Sequence, residues 1–213
     1  MAEHLNFMGY DISGTELQDF FDFFSDKYGY KPYQSYDGIP YINISPDLFY
    51  KYPKRVLYIQ PITSIFEEYE ALRGRKNIVY GLNIVRRVRN HVLRDENYTK
   101  RAWNEYNSLL AMYKYKYGEP IVLYDNKLPE GMELTTKLSR RLHWEDVNSL
   151  TNEQRIDMRF LHDYLYSKVV LFSIAGGRIY LGQSYVSDCL NIIYIDNEAQ
   201  RIADDEYNFV KVI

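Results

Sequence analysis

The sequence has few of the features that mark a secreted or membrane-spanning protein. A single cysteine, Cys189, stands among 213 residues, so no disulfide can form within the chain. Apolar runs are short, as in Val169–Phe172, whereas a transmembrane helix needs about 20 such residues. The first residues include neither the basic segment nor the apolar segment of a secretory signal. We therefore expect a protein of the cytosol without a signal peptide, in which Cys189 is a buried, unreactive thiol.

Motifs for catalysis and metal binding are also scarce. The four histidines, His4, His91, His143 and His162, are not spaced as metal ligands, and a lone cysteine argues against a structural zinc site. The chain has neither a phosphate-binding glycine loop nor the Gly-x-Ser-x-Gly motif of serine hydrolases. The sequence therefore predicts no metal, no cofactor and no catalytic residue.

One short fragment keeps an enzymatic alternative open. The segment Asp125–Lys127 follows a predicted strand, as does the acid-x-Lys half of a metal-dependent nuclease site, whose Mg²⁺ needs a further carboxylate nearby. The same residue types are typical of an ordinary turn, and the nuclease hypothesis ranks last. The segment His143–Asp146 offers an acid–base pair, although a polar helix start beside a buried Trp144 explains it more simply.

Apolar residues at helical spacing predict a helical centre. Such residues recur between Leu17 and Tyr28, and Ser13 with Glu16 has the spacing of a capping box. Similar apolar stripes run through 78–94 and 98–117. Further helices are predicted over 64–72 and 152–166.

Strands are predicted mainly towards the C-terminus. Gly176 and Gly177 separate two strand-like runs, as in a two-residue hairpin turn. Other predicted strands cover 41–44, 56–59, 121–124 and 190–195, and the tail over 207–213 is also strand-like. We therefore predict an α+β fold, a single domain over residues 1–213. In it a helical centre (15–28, 64–117 and 152–166) packs on a small, mostly antiparallel sheet with a C-terminal hairpin.

Positive charge is concentrated in one segment. Residues 73–101 hold nine Lys or Arg residues against two acids, Asp95 and Glu96, whereas the whole chain has a formal net charge of −3. Three explanations remain open: acidic flanks of the same chain, an acidic partner such as a second copy, or nucleic-acid phosphate. The acidic balance of the whole chain argues against phosphate, because nucleic-acid-binding domains are usually basic throughout.

The predicted helix over 78–94 gives separate expectations for three arginines. At 100° per residue Arg89 projects within the apolar stripe, so we expect it to contact a carboxylate or a carbonyl. Arg87 and Arg94 project to the far side, where they face solvent or a partner.

Tyrosine is unusually common, with 23 residues in the chain. Eight of them lie between Tyr28 and Tyr58, among prolines that forbid a long helix. Tyrosine offers a large, rigid contact area with a polar tip, and interfaces are enriched in it. The rings either cover the core or contact another protein, and we favour the second interpretation.

These observations predict a non-enzymatic structural protein that works through protein–protein contacts with other subunits, as a homo- or hetero-oligomer and without a membrane. The tyrosine-rich, cysteine-poor texture resembles small bacteriophage or other viral proteins. A connector, neck or tail component is the specific form of this hypothesis, located in the cytoplasm or the virion. The alternative is a small phage-type inhibitor or regulator that binds a host protein or nucleic acid through residues 73–101. The predicted partner interface comprises Arg86, Arg87, Arg89, Arg94, Lys100, Arg101, Asp19, Asp22, Asp26, Tyr30, Tyr33 and Tyr36.

Overall fold

Strands dominate the fold. A computed structural model describes residues 5–34, 40–44, 55–63, 77–88, 97–125, 127, 167–185 and 189–211. Strands take up about half of these residues, and three helices occur among them. The predicted architecture, a helical centre on a small sheet, is therefore wrong.

Two sheets are present among the described residues. A separate hairpin joins β1 (Leu5–Phe7) to β2 (Tyr10–Ile12). The large sheet contains β3 (Pro32–Gln34), β4 (Pro40–Asn43), β5 (Arg55–Thr63), β6 (Val79–Val88), β7 (Ile121–Asp125), β8 (Ser167–Ile174), β9 (Gly177–Ser184) and β10 (Cys189–Asp196). These eight strands form an antiparallel sheet in the order β3-β4-β5-β6-β10-β9-β8-β7.

The three helices are α1 (Leu17–Tyr28), α2 (Asn97–Tyr117) and α3 (Asn197–Lys211). The helices predicted over 15–28 and 98–117 are confirmed. The strand-like tail is instead the end of α3 as far as Lys211, so that prediction is wrong. Asp196 begins this helix, since its carboxylate accepts a hydrogen bond from the Ala199 amide at 2.8 Å. Ala199 and Ala203 then form a small buried stripe at helical spacing.

The main error of the sequence-based prediction is β6, which was expected to be helical. Every residue from Ile78 to Val85 is buried, so both faces of the strand are covered. A strand of this kind has a continuous apolar run, and any such run contains positions at helical spacing. Gly81 allows the neighbouring strand to approach closely, because a Cβ atom there would lie 2.5 Å from the backbone oxygen of Tyr194.

Smaller boundaries also differ from the prediction. The capping box lies three residues later than expected, with the Glu16 amide donating to Asp19. Residues before the helix are extended, since the Val79 amide donates to the Thr15 carbonyl at 2.9 Å. The C-terminal hairpin is present, but its turn is Ala175–Gly176. The predicted helices over 64–72 and 152–166 lie outside the described residues.

The chain divides into two compact units. Unit 1 comprises Met1–Val85, Ser173–Ile179 and Ile192–Ile213, and unit 2 comprises Arg86–Phe172 and Tyr180–Asn191. The core of unit 1 includes the fully buried rings of Phe20 and Phe24, and that of unit 2 includes Tyr106 and Phe172. The prediction of a single domain stays a prediction.

Candidate interaction surface

The terminal strand β7 exposes apolar side chains to solvent. Ile121 is 59% exposed, Val122 57% and Leu123 37%. Within the described ranges β7 pairs only with β8, so one side of its backbone has no neighbouring strand. An apolar terminal strand of this kind is a site at which another chain can bind.

A β-bulge interrupts β7 at Leu123. Val122 pairs with Val170 and Tyr124 with Val169, so Leu123 is an extra residue opposite the regular strand. A bulge interrupts the alternation of side chains between the two faces of a sheet and increases the local twist. The exposed segment therefore suits contact through side chains better than the addition of a long, regular strand.

The C-terminal end of β7 is fixed by a polar cluster within unit 2. Lys168 lies opposite Asp125 in the β7–β8 register, and its Nζ donates to Asp125 Oδ2 at 2.9 Å. The Tyr185 hydroxyl donates to the other oxygen, Oδ1, at 2.6 Å. The Tyr185 ring in turn stacks on Trp103 of α2, with centroids 4.4 Å apart.

These contacts determine the role of the Asp125 carboxylate. The hydrogen bond from Tyr185 and then that from Lys168 hold the pKa of its carboxyl below the ordinary value. Both oxygens already accept hydrogen bonds, and the described residues contain no group of three or more His, Cys, Asp or Glu that could hold a metal ion. The geometry is that of a structural anchor for β7. It gives the nuclease hypothesis no additional support.

The acidic half of the predicted interface lies on α1 in unit 1. Asp19, Asp22 and Asp26 are all exposed, on the side opposite buried Phe20 and Phe24. Their described hydrogen bonds come from neutral groups: the Glu16 amide donates to Asp19, and Gln18 donates to Asp22 at 2.8 Å. The three carboxylates thus form a solvent-facing acidic surface.

The basic half is described only in part. Arg86 lies in β6 and forms a 2.8 Å ion pair with Glu105 of α2, so an acid of the same chain neutralises it. Lys100 is exposed on α2. The backbone of Arg87 lies in β6 and that of Arg101 in α2, and their side chains are outside the description. Arg89 and Arg94 lie outside the described residues. Because Arg87 lies in a strand, its predicted position on a helix is wrong.

The predicted tyrosines lie partly in stacked pairs in unit 1. Tyr30 stacks on Tyr28, with centroids 5.6 Å apart, and Tyr33 stacks on Tyr41 at 5.8 Å. Tyr33 remains 52% exposed. Tyr36 lies outside the described residues. Tyr30 and Tyr33 of the predicted interface thus each stack on another tyrosine of unit 1.

The sequence predicts a strand over residues 121–124 and gives no sign of the exposure of the side chains of residues 121–123. The run Ile-Val-Leu-Tyr has the composition of a buried strand. Its position at the end of the sheet depends on pairings with residues more than 40 positions away, such as Val122 with Val170. No local pattern carries that information.

Comparisons with protein-family models, curated proteins and solved structures give no match to this chain. None of the described helices is long and apolar enough to cross a membrane.

Proposed function

We propose that this protein is a non-enzymatic structural subunit that assembles through protein–protein contacts. The observation that carries the proposal is the exposure of Ile121, Val122 and Leu123 on the terminal strand β7. Scattered single apolar residues are normal on a surface, whereas a contiguous exposed group marks an interaction site.

The opposite end of the sheet supports this interpretation by contrast. The terminal strand there, β3, is three residues long and begins with Pro32, both of which discourage pairing with another chain. Strand β7 has five residues and no proline. Its bulge at Leu123 disfavours a long added strand, so its exposed apolar side chains are the part available for contact. The more specific form of the proposal is a connector, neck or tail component of a bacteriophage or viral particle, located in the cytoplasm or the virion. It rests on the tyrosine-rich, cysteine-poor composition.

The test is to measure association of the full chain by sedimentation velocity, alone and with the purified products of neighbouring genes. We expect an oligomer or a defined complex. The double substitution Ile121→Lys with Val122→Lys should weaken it at least about tenfold, because burying one such side chain contributes about 1.5–3 kcal/mol. The matched control is Met112→Lys, since Met112 is 52% exposed on α2.

Two results would count against the proposal. A chain that stays monomeric and binds none of these proteins is not an assembly subunit. Equal weakening by the β7 variant and the Met112 control would remove the role of β7. Binding to nucleic acid that falls steeply with salt, with no protein complex, would instead favour the regulator hypothesis.

A further inference from the structure

The described charged groups of unit 2 include more cations than acids. Its three described acids are each neutralised by an ion pair: Glu105 with Arg86 at 2.8 Å, Glu119 with Lys114 at 2.6 Å, and Asp125 with Lys168 at 2.9 Å. The remaining lysines, Lys100, Lys116 and Lys127, are exposed and form no ion pair with any described residue. The described part of unit 2 therefore presents an excess of positive charge to solvent.

Two of these lysines flank the exposed apolar strand. Lys116 lies in the last turn of α2, with its Nζ over the Tyr117 ring at 4.9 Å, and Lys127 follows β7 by two residues. We call Lys116, Ile121–Leu123 and Lys127 the β7 segment. It combines an apolar centre with a cation before and after it in the chain.

Unit 1 carries the complementary surface. By sequence, unit 1 has a formal net charge of −5 and unit 2 of +2. Asp19, Asp22 and Asp26 of α1 form no ion pair with the described residues. The one cation of the helix, Lys27, is directed elsewhere, with its Nζ over the Phe23 ring at 5.0 Å.

We propose that the β7 segment of one copy binds the acidic face of α1 on a second copy, an inference that rests on the proposed assembly function. The two surfaces are opposite in charge: three exposed carboxylates lie on α1, and an exposed lysine lies before and after the apolar strand in the chain. The two surfaces differ, so the contact is head-to-tail, and repetition of such a contact gives a ring or a filament.

The decisive experiment reverses charge on each surface separately. One variant carries Asp22→Lys and Asp26→Lys, and the other carries Lys116→Glu and Lys127→Glu. Each variant alone should self-associate at least about tenfold more weakly than the original chain, because like charges then face each other. An equimolar mixture should associate again, since the basic α1 of the first variant meets the acidic β7 segment of the second.

The controls are Asp205→Lys, in an exposed ion pair of α3, and Lys31→Glu, at an exposed lysine of unit 1. Neither should reduce association, and circular dichroism checks that all variants fold. The inference is overturned if either double variant associates like the original chain, or if the mixture does not recover. A monomeric original chain that still binds the product of a neighbouring gene overturns this contact alone. A monomeric chain that binds nothing overturns the proposed function as well.

Discussion

The two units use aromatic residues in different ways. In unit 1 the fully buried Phe20 ring packs edge-on against Tyr10, with centroids 5.3 Å apart. In unit 2 the partly exposed Tyr185 stacks on Trp103 and holds the Asp125 carboxylate through its hydroxyl. The Phe20–Tyr10 contact stabilises unit 1 by burying apolar surface, whereas the Tyr185–Trp103 contact stabilises unit 2 by holding a hydroxyl group against Asp125. Aromatic content therefore does not reveal by itself whether a ring belongs to a core or to a polar cluster.

The largest effect should come from removing a ring of the unit 1 core. Phe20→Ala is expected to lower the free energy of unfolding by about 3–5 kcal/mol, because it deletes a fully buried side chain and leaves a cavity. Denaturant unfolding followed by circular dichroism measures this. Phe21→Ala is the matched control, since Phe21 is only half-buried and should cost clearly less. Equal losses would show that the aromatic cluster, and not burial of the Phe20 ring, determines the stability of unit 1.

Part of this fold could be predicted from local pattern. Helix α1 is amphipathic within one short stretch and its prediction is confirmed, as is that of α2, which ends before Gly118 with φ +86°. The hairpin of β8 and β9 is also local, although its turn is displaced by one residue.

The rest depends on pairing between distant segments. Strand β6 is covered on both faces, and its apolar run has no alternation that would distinguish it from a helix. The exposure of β7 follows from its place at the end of the sheet, and the bulge at Leu123 follows from its pairing with β8. The acidic face of α1 was predictable because charge spacing along a helix is a local property.

A smaller loss in the free energy of unfolding is expected when the polar cluster of unit 2 is disrupted, and this loss should depend on pH. The hydrogen bonds from Tyr185 and Lys168 lower the pKa of Asp125 in the folded state. A lowered pKa contributes stability that is fully present above the ordinary pKa and is lost as the pH falls through the folded value. Asp125→Asn should therefore cost under about 1 kcal/mol at neutral pH, because the ion pair is partly exposed.

The measurement is a comparison of unfolding free energies for the original chain and Asp125→Asn between neutral and acidic pH. The difference should shrink below about pH 4. Tyr185→Phe removes the larger of the two causes, so it should reduce the same pH dependence without removing the carboxylate. A difference that stays constant across this range would show that Asp125 does not act through its charge.

A further effect of similar or smaller size should come from removing one buried tyrosine hydroxyl in each unit. In unit 2 the Tyr106 side chain is fully buried, and its hydroxyl has no hydrogen-bond partner among the described residues. Burial raises the pKa of this phenol, which therefore stays neutral. In unit 1 the Tyr10 hydroxyl is hydrogen-bonded to Thr15.

Replacing either tyrosine by phenylalanine removes a hydroxyl group and leaves the ring in place. Tyr10→Phe should cost about 1 kcal/mol, because a hydrogen bond is lost, whereas Tyr106→Phe should cost nothing or stabilise by up to about 1 kcal/mol. Thermal unfolding of the two variants against the original chain separates these outcomes. A loss at Tyr106 equal to that at Tyr10 would mean that its hydroxyl makes a hydrogen bond in solution, and the contrast between the two units would then not extend to their buried phenols.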